Sequence, residues 1–114
     1  MGPLHEWFTS YLTSRRQRVV VNGVSSQWEE VGSGVPQGSV LGPILFTLYV
    51  NDLLDCVSSS RIAMFADDSK CFRPIRTCSD VGFLQNELDA LSAWALHNEL
   101  SFQPAKCDNL RVTR

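Results

Sequence analysis

Ile62-Ala63-Met64-Phe65-Ala66-Asp67-Asp68-Ser69-Lys70-Cys71-Phe72 is an apolar run that reaches two adjacent aspartates and is followed by a second short run with aromatic and sulfur side chains. Four to eight apolar residues bounded by turn formers predict a strand. Asp-Asp-Ser is turn chemistry, because these side chains hydrogen-bond their own backbone. The simplest reading is a β-hairpin with two carboxylates at its tip, held by strands that are otherwise buried. Two like charges that close are costly unless something positive lies beside them. A divalent cation compensates well, and Mg²⁺ usually takes one or two protein carboxylates together with substrate phosphates. Taken alone, an Asp-Asp pair is better read as keeping a tight turn solvated, so the surrounding chain must decide.

At 114 residues the chain is one small domain at most, with a modest core. Its apolar fraction of 44% points to neither disorder nor a membrane span. No apolar run has the length to cross a bilayer, and no secretory signal precedes the first amphipathic segment. Cys56, Cys71, Cys78 and Cys107 lack the spacing of a zinc site. Reduced thiols in an intracellular protein, in cytoplasm or nucleus and not secreted, are the expectation. The net charge of −2 is unlike that of a free-standing nucleic-acid binder. The basic residues are nevertheless bunched, as Arg15, Arg16 and Arg18 and again as Lys70, Arg73 and Arg76. Either cluster is also what a solvated face looks like.

In chain order, Leu4, Trp7, Phe8, Tyr11 and Leu12 follow helical spacing; the pattern starts abruptly, as if it began further upstream. Val19-Val20-Val21 leads into Asn22-Gly23, the strongest short hairpin signal, and predicts a hairpin over about residues 17–31. Its polar and basic outer side chains suit a polyanion or simply a scaffold. Ser33-Gly34-Val35-Pro36-Gln37-Gly38-Ser39-Val40-Leu41-Gly42-Pro43 then feeds a long apolar segment, residues 40–57, with Ser39 as N-cap and Pro43 in the first turn. A glycine-containing loop at a helix N-terminus can receive an anion such as phosphate, although it is also an ordinary loop-to-helix junction. Beyond the serine break at 58–60, Ser79 or Asp80 is the expected cap of a helix whose stripe is Val81, Leu84, Leu88, Leu91 and Ala95, with Trp94 beside it, ending near Asn98. A loop with a short extended piece follows, and Leu110-Arg111-Val112 reads as a strand.

Two blocks now stand in one order: Ser-Gly-Val-Pro-Gln-Gly-Ser-Val-Leu-Gly-Pro at 33–43 and Phe-Ala-Asp-Asp at 65–68. Together they resemble the palm of a reverse transcriptase, specifically that of non-LTR retrotransposons of the jockey and CR1-like kind. Trp7-Phe8, Ser10-Tyr11-Leu12, Arg18-Val19, Val21-Asn22-Gly23, Tyr49-Val50-Asn51-Asp52-Leu53, Trp94, Leu100-Ser101-Phe102 and Lys106-Cys107 extend the likeness over nearly the whole chain. The resemblance implies an α+β fold, a polymerase palm fragment with a small antiparallel sheet and helices packed on one face. It implies that Asp67 is the catalytic metal-binding aspartate and Asp68 its neighbour at the primer end. Gln37 and Gly38 match the block that contacts the incoming nucleotide and template, and Phe65 stands there too, where many relatives carry tyrosine. Lys106 matches a lysine that donates a proton to pyrophosphate, or it is a solvated loop lysine; Gln103 stands where relatives often have asparagine. The implied cofactor is Mg²⁺, two ions in the complete enzyme, with Mn²⁺ as substitute. The implied partners are an RNA template, a DNA primer and a deoxynucleoside triphosphate, with no membrane.

One element of that pattern is missing. Such a palm holds its metals with aspartates from two places, and the other lies upstream of everything here. Before Gly34 the acids are Glu6, Glu29 and Glu30, none after a buried strand, and Asp52 and Asp55 fall along a helix. Most of the fingers and the thumb are also lacking. The expectation is therefore a partial reverse transcriptase domain over residues 1–114: a piece of an RNA-directed DNA polymerase, or a catalytically inactive remnant with at most weak nucleic-acid binding. The missing strand would leave a sheet edge exposed.

Overall fold

The computed structural model describes residues 2–113. Two compact units divide the chain, Met1–Leu48 and Tyr49–Arg114. In the first, helix α1 spans Pro3–Leu12 with proline at its start, where a missing N–H costs nothing. Its aromatic face is self-contained: Trp7 stacks on Tyr11 at 5.2 Å and meets Phe8 edge-on at 5.1 Å. Strand β1 (Arg15–Gln17) pairs with β4 (Glu29–Val31), and β2 (Val20–Val21) pairs with β3 (Val24–Ser25). The turn between β2 and β3 is Asn22-Gly23, with φ of 50° and 80°, the positive pair a type I′ turn requires. Between the two ladders, residues 18–19 face residues 26–28. This bulge is closed by Ser26, whose hydroxyl accepts the Val19 N–H at 2.9 Å. The Arg18 guanidinium lies over the Trp28 ring, 4.6 Å from its centroid. The expected hairpin is present and begins two residues earlier than anticipated.

Helix α2 spans Gly42–Val50, and a 3-10 segment, Asn51–Cys56, continues the chain. The apolar segment is therefore not one α-helix, and Asp52 and Asp55 lie on the tighter turns. The second unit then forms strands β5 (Arg61–Phe65) and β6 (Asp68–Phe72), helix α3 (Cys78–His97) and a short 3-10 turn, Pro104–Lys106. Its buried apolar side chains are Val50, Leu53, Leu91 and Ala95, where the 3-10 segment packs on α3. The architecture is α+β, with the antiparallel pairing among the described residues in two hairpins: β1–β4 and β2–β3 are the two ladders of one, and β5–β6 is the other.

Helix α3 starts at a different cap from the one expected. Thr77 is the N-cap, and Asp80, three residues in, accepts the Arg76 and Thr77 N–H groups at 3.0 and 2.9 Å, a capping box. Its end has no glycine. Glu99 adopts φ of 54°, and the Leu100 and Glu99 N–H groups return to the Ala95 and Leu96 carbonyls at 2.8 and 3.3 Å, which is a Schellman motif. The buried face of α3 also differs from the expected stripe. Leu91 and Ala95 are inside, Val81 and Leu88 are exposed, and the inward position between Leu84 and Leu91 is taken by Glu87. Leu110-Arg111-Val112 is not a strand: no partner pairs with it among the described residues, and Leu110 and Val112 are exposed.

Glu87 is 7% exposed. Its Oε1 accepts the N–H groups of Ser58, Ser59 and Ser60 at 3.0, 2.6 and 3.2 Å and the Ser59 hydroxyl at 3.0 Å. Burial alone would raise its pKa. The serine donors outweigh it and bring the group from 4.5 down to about 2. The Ser60 hydroxyl has no partner in good geometry, so the N–H groups and the Ser59 hydroxyl carry this effect. Asp80 is likewise held at about 2, first by the Arg76 and Thr77 N–H groups and the Thr77 hydroxyl, with Arg73 adding. Both carboxylates titrate lower in the folded chain than in the unfolded one, so their stabilisation is present above the ordinary carboxylate range and is lost as pH falls toward about 2. Thermal unfolding followed from pH 6 to pH 2 is expected to show a falling midpoint below about pH 4.5, with a shallower fall in Glu87→Gln.

Candidate active site

The two-residue turn between β5 and β6 is Ala66-Asp67, with Phe65 paired to Asp68. Asp67 therefore stands in the turn and Asp68 opens β6, so the hairpin expected from the sequence is present with its carboxylates at the tip. Its strands are not buried on both sides. Ile62, Met64, Ser69 and Cys71 make a half-buried inner face, and Ala63, Phe65, Asp68, Lys70 and Phe72 face out, the two-residue alternation of a strand. Phe65 is 83% exposed and lies directly across from Asp68, which places the two Cβ atoms about 4.5–5.5 Å apart. Ala66 holds φ of 52°, a left-handed conformation that costs a residue with a Cβ atom about 1–2 kcal/mol.

Among the described residues neither tip aspartate is in an ion pair. Among the described residues the ion pair found is Arg73–Asp80, at 2.8 Å. Lys70 and Lys106 pair with neither Asp67 nor Asp68. Two exposed carboxylates are the hard oxygen donors that Mg²⁺ accepts alongside water and phosphate oxygens. The set is partial, since no group of three or more His, Cys, Asp or Glu side chains that could hold a metal occurs among the described residues. The cysteines add nothing: all four are free, and burial pushes the Cys56 and Cys71 thiols up, assisted by Asp52 and Asp55 at the first and Glu87 at the second.

Gln37 and Gly38 lie exposed in the loop before α2, in the first unit. Gly34 and Gly38 take φ of 74° and 77°, where a Cβ atom would be strained. The Ser39 hydroxyl donates to the Pro36 carbonyl at 2.7 Å and accepts the Gly42 N–H at 2.9 Å. It thus caps α2 from three residues away, although the helix begins at Gly42 and not at Val40. Because Ser39 takes the Gly42 N–H and Pro43 has none, the helix N-terminus has fewer free donors for an anion than expected. Arg15, which the sequence offered only as part of a basic cluster, donates Nη2 to the Ser33 and Gly34 carbonyls at 3.2 and 2.6 Å and Nε to the Leu12 carbonyl at 3.0 Å. It ties the loop to the end of α1. Lys106 ends the 3-10 turn at Pro104–Lys106, is exposed, and is not joined to the hairpin tip by any ion pair.

A family model described as reverse transcriptase (RNA-dependent DNA polymerase) matches residues 1–113. The chain belongs to the reverse transcriptase family. It is 31% identical over 109 residues to the RNA-directed DNA polymerase from mobile element jockey of Drosophila melanogaster, covering 89% of this chain and 12% of the relative. It is 34% identical over 117 residues to the probable RNA-directed DNA polymerase from transposon X-element of the same fly, covering 98% of this chain and 13% of the relative. The corresponding polymerase from transposon BS is 33% identical, over 95% of this chain and 13% of the relative. These are polymerases of non-LTR transposable elements. This reverse-transcriptase chain spans about an eighth of the length of the curated relatives it matches. No solved structure matches it.

The loop and the turn give two local expectations. A Cβ atom on Gly42 would stand 2.8 Å from the Pro36 carbonyl oxygen and 3.0 Å from Ser39 Oγ. Gly42→Ala should destabilise the chain by about 1–3 kcal/mol, as overpacking does, although alanine is the better helix former; denaturant titration measures it. Ala66→Gly should stabilise the β5–β6 hairpin by about 0.5–1 kcal/mol, read as slower amide exchange in both strands.

Proposed function

We propose that this chain supplies the carboxylate-bearing hairpin and the nucleotide-contacting loop of an RNA-directed DNA polymerase of a non-LTR retrotransposon. The observation that carries the reading is the hairpin tip, with Asp67 in the turn, Asp68 beside it and Phe65 across from it, in a chain that also holds Gln37-Gly38 in the expected order. Asp67 and Asp68 would hold Mg²⁺. Two such ions in the complete enzyme would supply charge stabilisation for transfer of the α-phosphate onto a primer 3′-hydroxyl. The chain's own part is positioning, which phosphoryl transfer mostly needs. The ribbon mounts the carboxylates, and Phe65 offers an exposed aromatic edge beside Asp68. The loop at Gln37-Gly38 presents backbone without a Cβ obstruction at Gly38 to nucleotide or template. Lys106 would donate a proton to pyrophosphate only if brought to the tip; standing exposed and unpaired, it is otherwise a solvated lysine. The substrates, RNA and deoxynucleoside triphosphates, would be met inside the cell. No helix among the described residues is long and apolar enough to cross a membrane.

A second reading is favoured by the partial donor set. No third acid joins Asp67 and Asp68 among the described residues, so residues 1–114 would be a partial palm that is inactive alone and binds nucleic acid weakly at most.

The test is primer extension on an RNA template with Mg²⁺ or Mn²⁺, comparing the chain alone, a longer chain extended upstream in the pattern of its relatives, and Asp67→Ala in each. The account expects no incorporation by the chain alone and incorporation by the longer one, reduced at least 100-fold by Asp67→Ala, the scale of losing a key electrostatic group. Incorporation by the longer chain that survives Asp67→Ala would refute the assignment of the tip.

A further inference from the structure

We propose that Glu87 is a positioning residue for the Asp67–Asp68 tip, holding both roots of the β5–β6 hairpin on α3 through Ser58–Ser60 and Arg73. The inference rests on the reading of the tip given above and concerns residues that lie outside it. Ser58, Ser59 and Ser60 lead directly into β5, and their three N–H groups converge on one oxygen of Glu87 at 2.6–3.2 Å. Arg73 follows directly after β6. Its Nη1 donates to the Ser59 hydroxyl at 3.0 Å, which in turn donates to Glu87 at 3.0 Å. Its Nη2 bonds Asp80 at 2.8 Å, and its guanidinium carbon lies 5.3 Å from the Phe83 ring centroid. Both ends of the ribbon are thereby fastened to α3 by one continuous run of hydrogen bonds: Asp80, Arg73, Ser59, Glu87.

Such fastening matters because, among the described residues, the ribbon has two strands and no third to orient it, and an isolated pair is marginal in water. At 3.4 Å per residue, five residues put the tip about 17 Å from its root. A rotation of about 10° at the root then moves the carboxylates by about 3 Å, whereas a catalytic constellation tolerates about 0.5 Å. The residue type supports the same conclusion. The buried face of α3 is otherwise Leu91 and Ala95, and a leucine at 87 would pack there without a charge to desolvate. A buried carboxylate contributes little stability beyond an apolar residue of similar volume. What it adds is direction, since three N–H groups fix where the chain enters β5.

The experiment uses N–H residual dipolar couplings of the 114-residue chain for β5 and β6 (residues 61–65 and 68–72) and α3 (residues 78–97). In the native chain, hairpin and helix are expected to fit one alignment tensor. In Glu87→Gln and in Ser59→Ala the cross-strand contacts should persist, while the hairpin couplings fall at least twofold relative to those of α3. Leu91→Ala, which loosens the core without touching the anchors, is the control and should keep one tensor. Retention of a common tensor in both anchor variants would overturn the proposal, as would an equal loss in Leu91→Ala. The couplings need no metal and no activity, so failure of the polymerase reading would leave this result standing and be told apart from it.

Discussion

A single buried carboxylate, Glu87, organises the second half of this chain. Buried acids are disfavoured unless donors surround them, and here the donors are successive backbone N–H groups at residues 58–60. That requirement fixes the path of the chain as it leaves the 3-10 segment and enters β5. Arg73 extends the same network to the far end of β6 and to Asp80 at the start of α3. Helix cap, hairpin roots and buried acid therefore form one unit of polar structure. It stands beside a small apolar core of Val50, Leu53, Leu91 and Ala95.

The chemistry follows from what that unit holds outward. Adjacent carboxylates at a hairpin tip repel each other, and among the described residues neither is in an ion pair. This is a poor arrangement for stability alone and a suitable one for a divalent ion that arrives with phosphate ligands. The loop at residues 34–42 shows the complementary design. Arg15 and Ser39 bind its carbonyls from within, leaving Gln37 and Gly38 exposed. The chain that carries both features belongs to the reverse transcriptase family.

Much of this was legible in residue order. The Asn22-Gly23 turn follows from local chemistry, and so do α1 and the end of α3 near Asn98; the second hairpin does too, but its turn falls at Ala66-Asp67 and not at the expected Asp67-Asp68-Ser69, where Asp68 and Ser69 are already paired in β6. The tip aspartates were visible because two turn-forming acids interrupt an otherwise apolar stretch. What escaped notice depended on partners distant in sequence. Glu87 looks like a solvent-facing acid between Leu84 and Leu88, and only the return of residues 58–60 makes it interior. Arg15 looks like one member of a basic run until its carbonyl partners at 33 and 34 are placed. The cap of α3 was missed because Asp80 works backward on Thr77 rather than forward from its own position. Leu110-Arg111-Val112 has strand composition, but a strand also needs a neighbour. The small antiparallel sheet implied by the resemblance takes the form of two hairpins, the first with its pairing interrupted by the bulge at residues 18–19 and 26–28.

The central claim is that Asp67 and Asp68 hold a divalent cation at the hairpin tip. The most direct measurement is a Mn²⁺ titration of the isotopically labelled chain, following paramagnetic broadening of its amide resonances. The account predicts broadening centred on residues 66–69, displaced by excess Mg²⁺ and removed in Asp67→Ala. Broadening centred instead on Asp52 and Asp55 or on Glu29 and Glu30, or none localised at all, would contradict it.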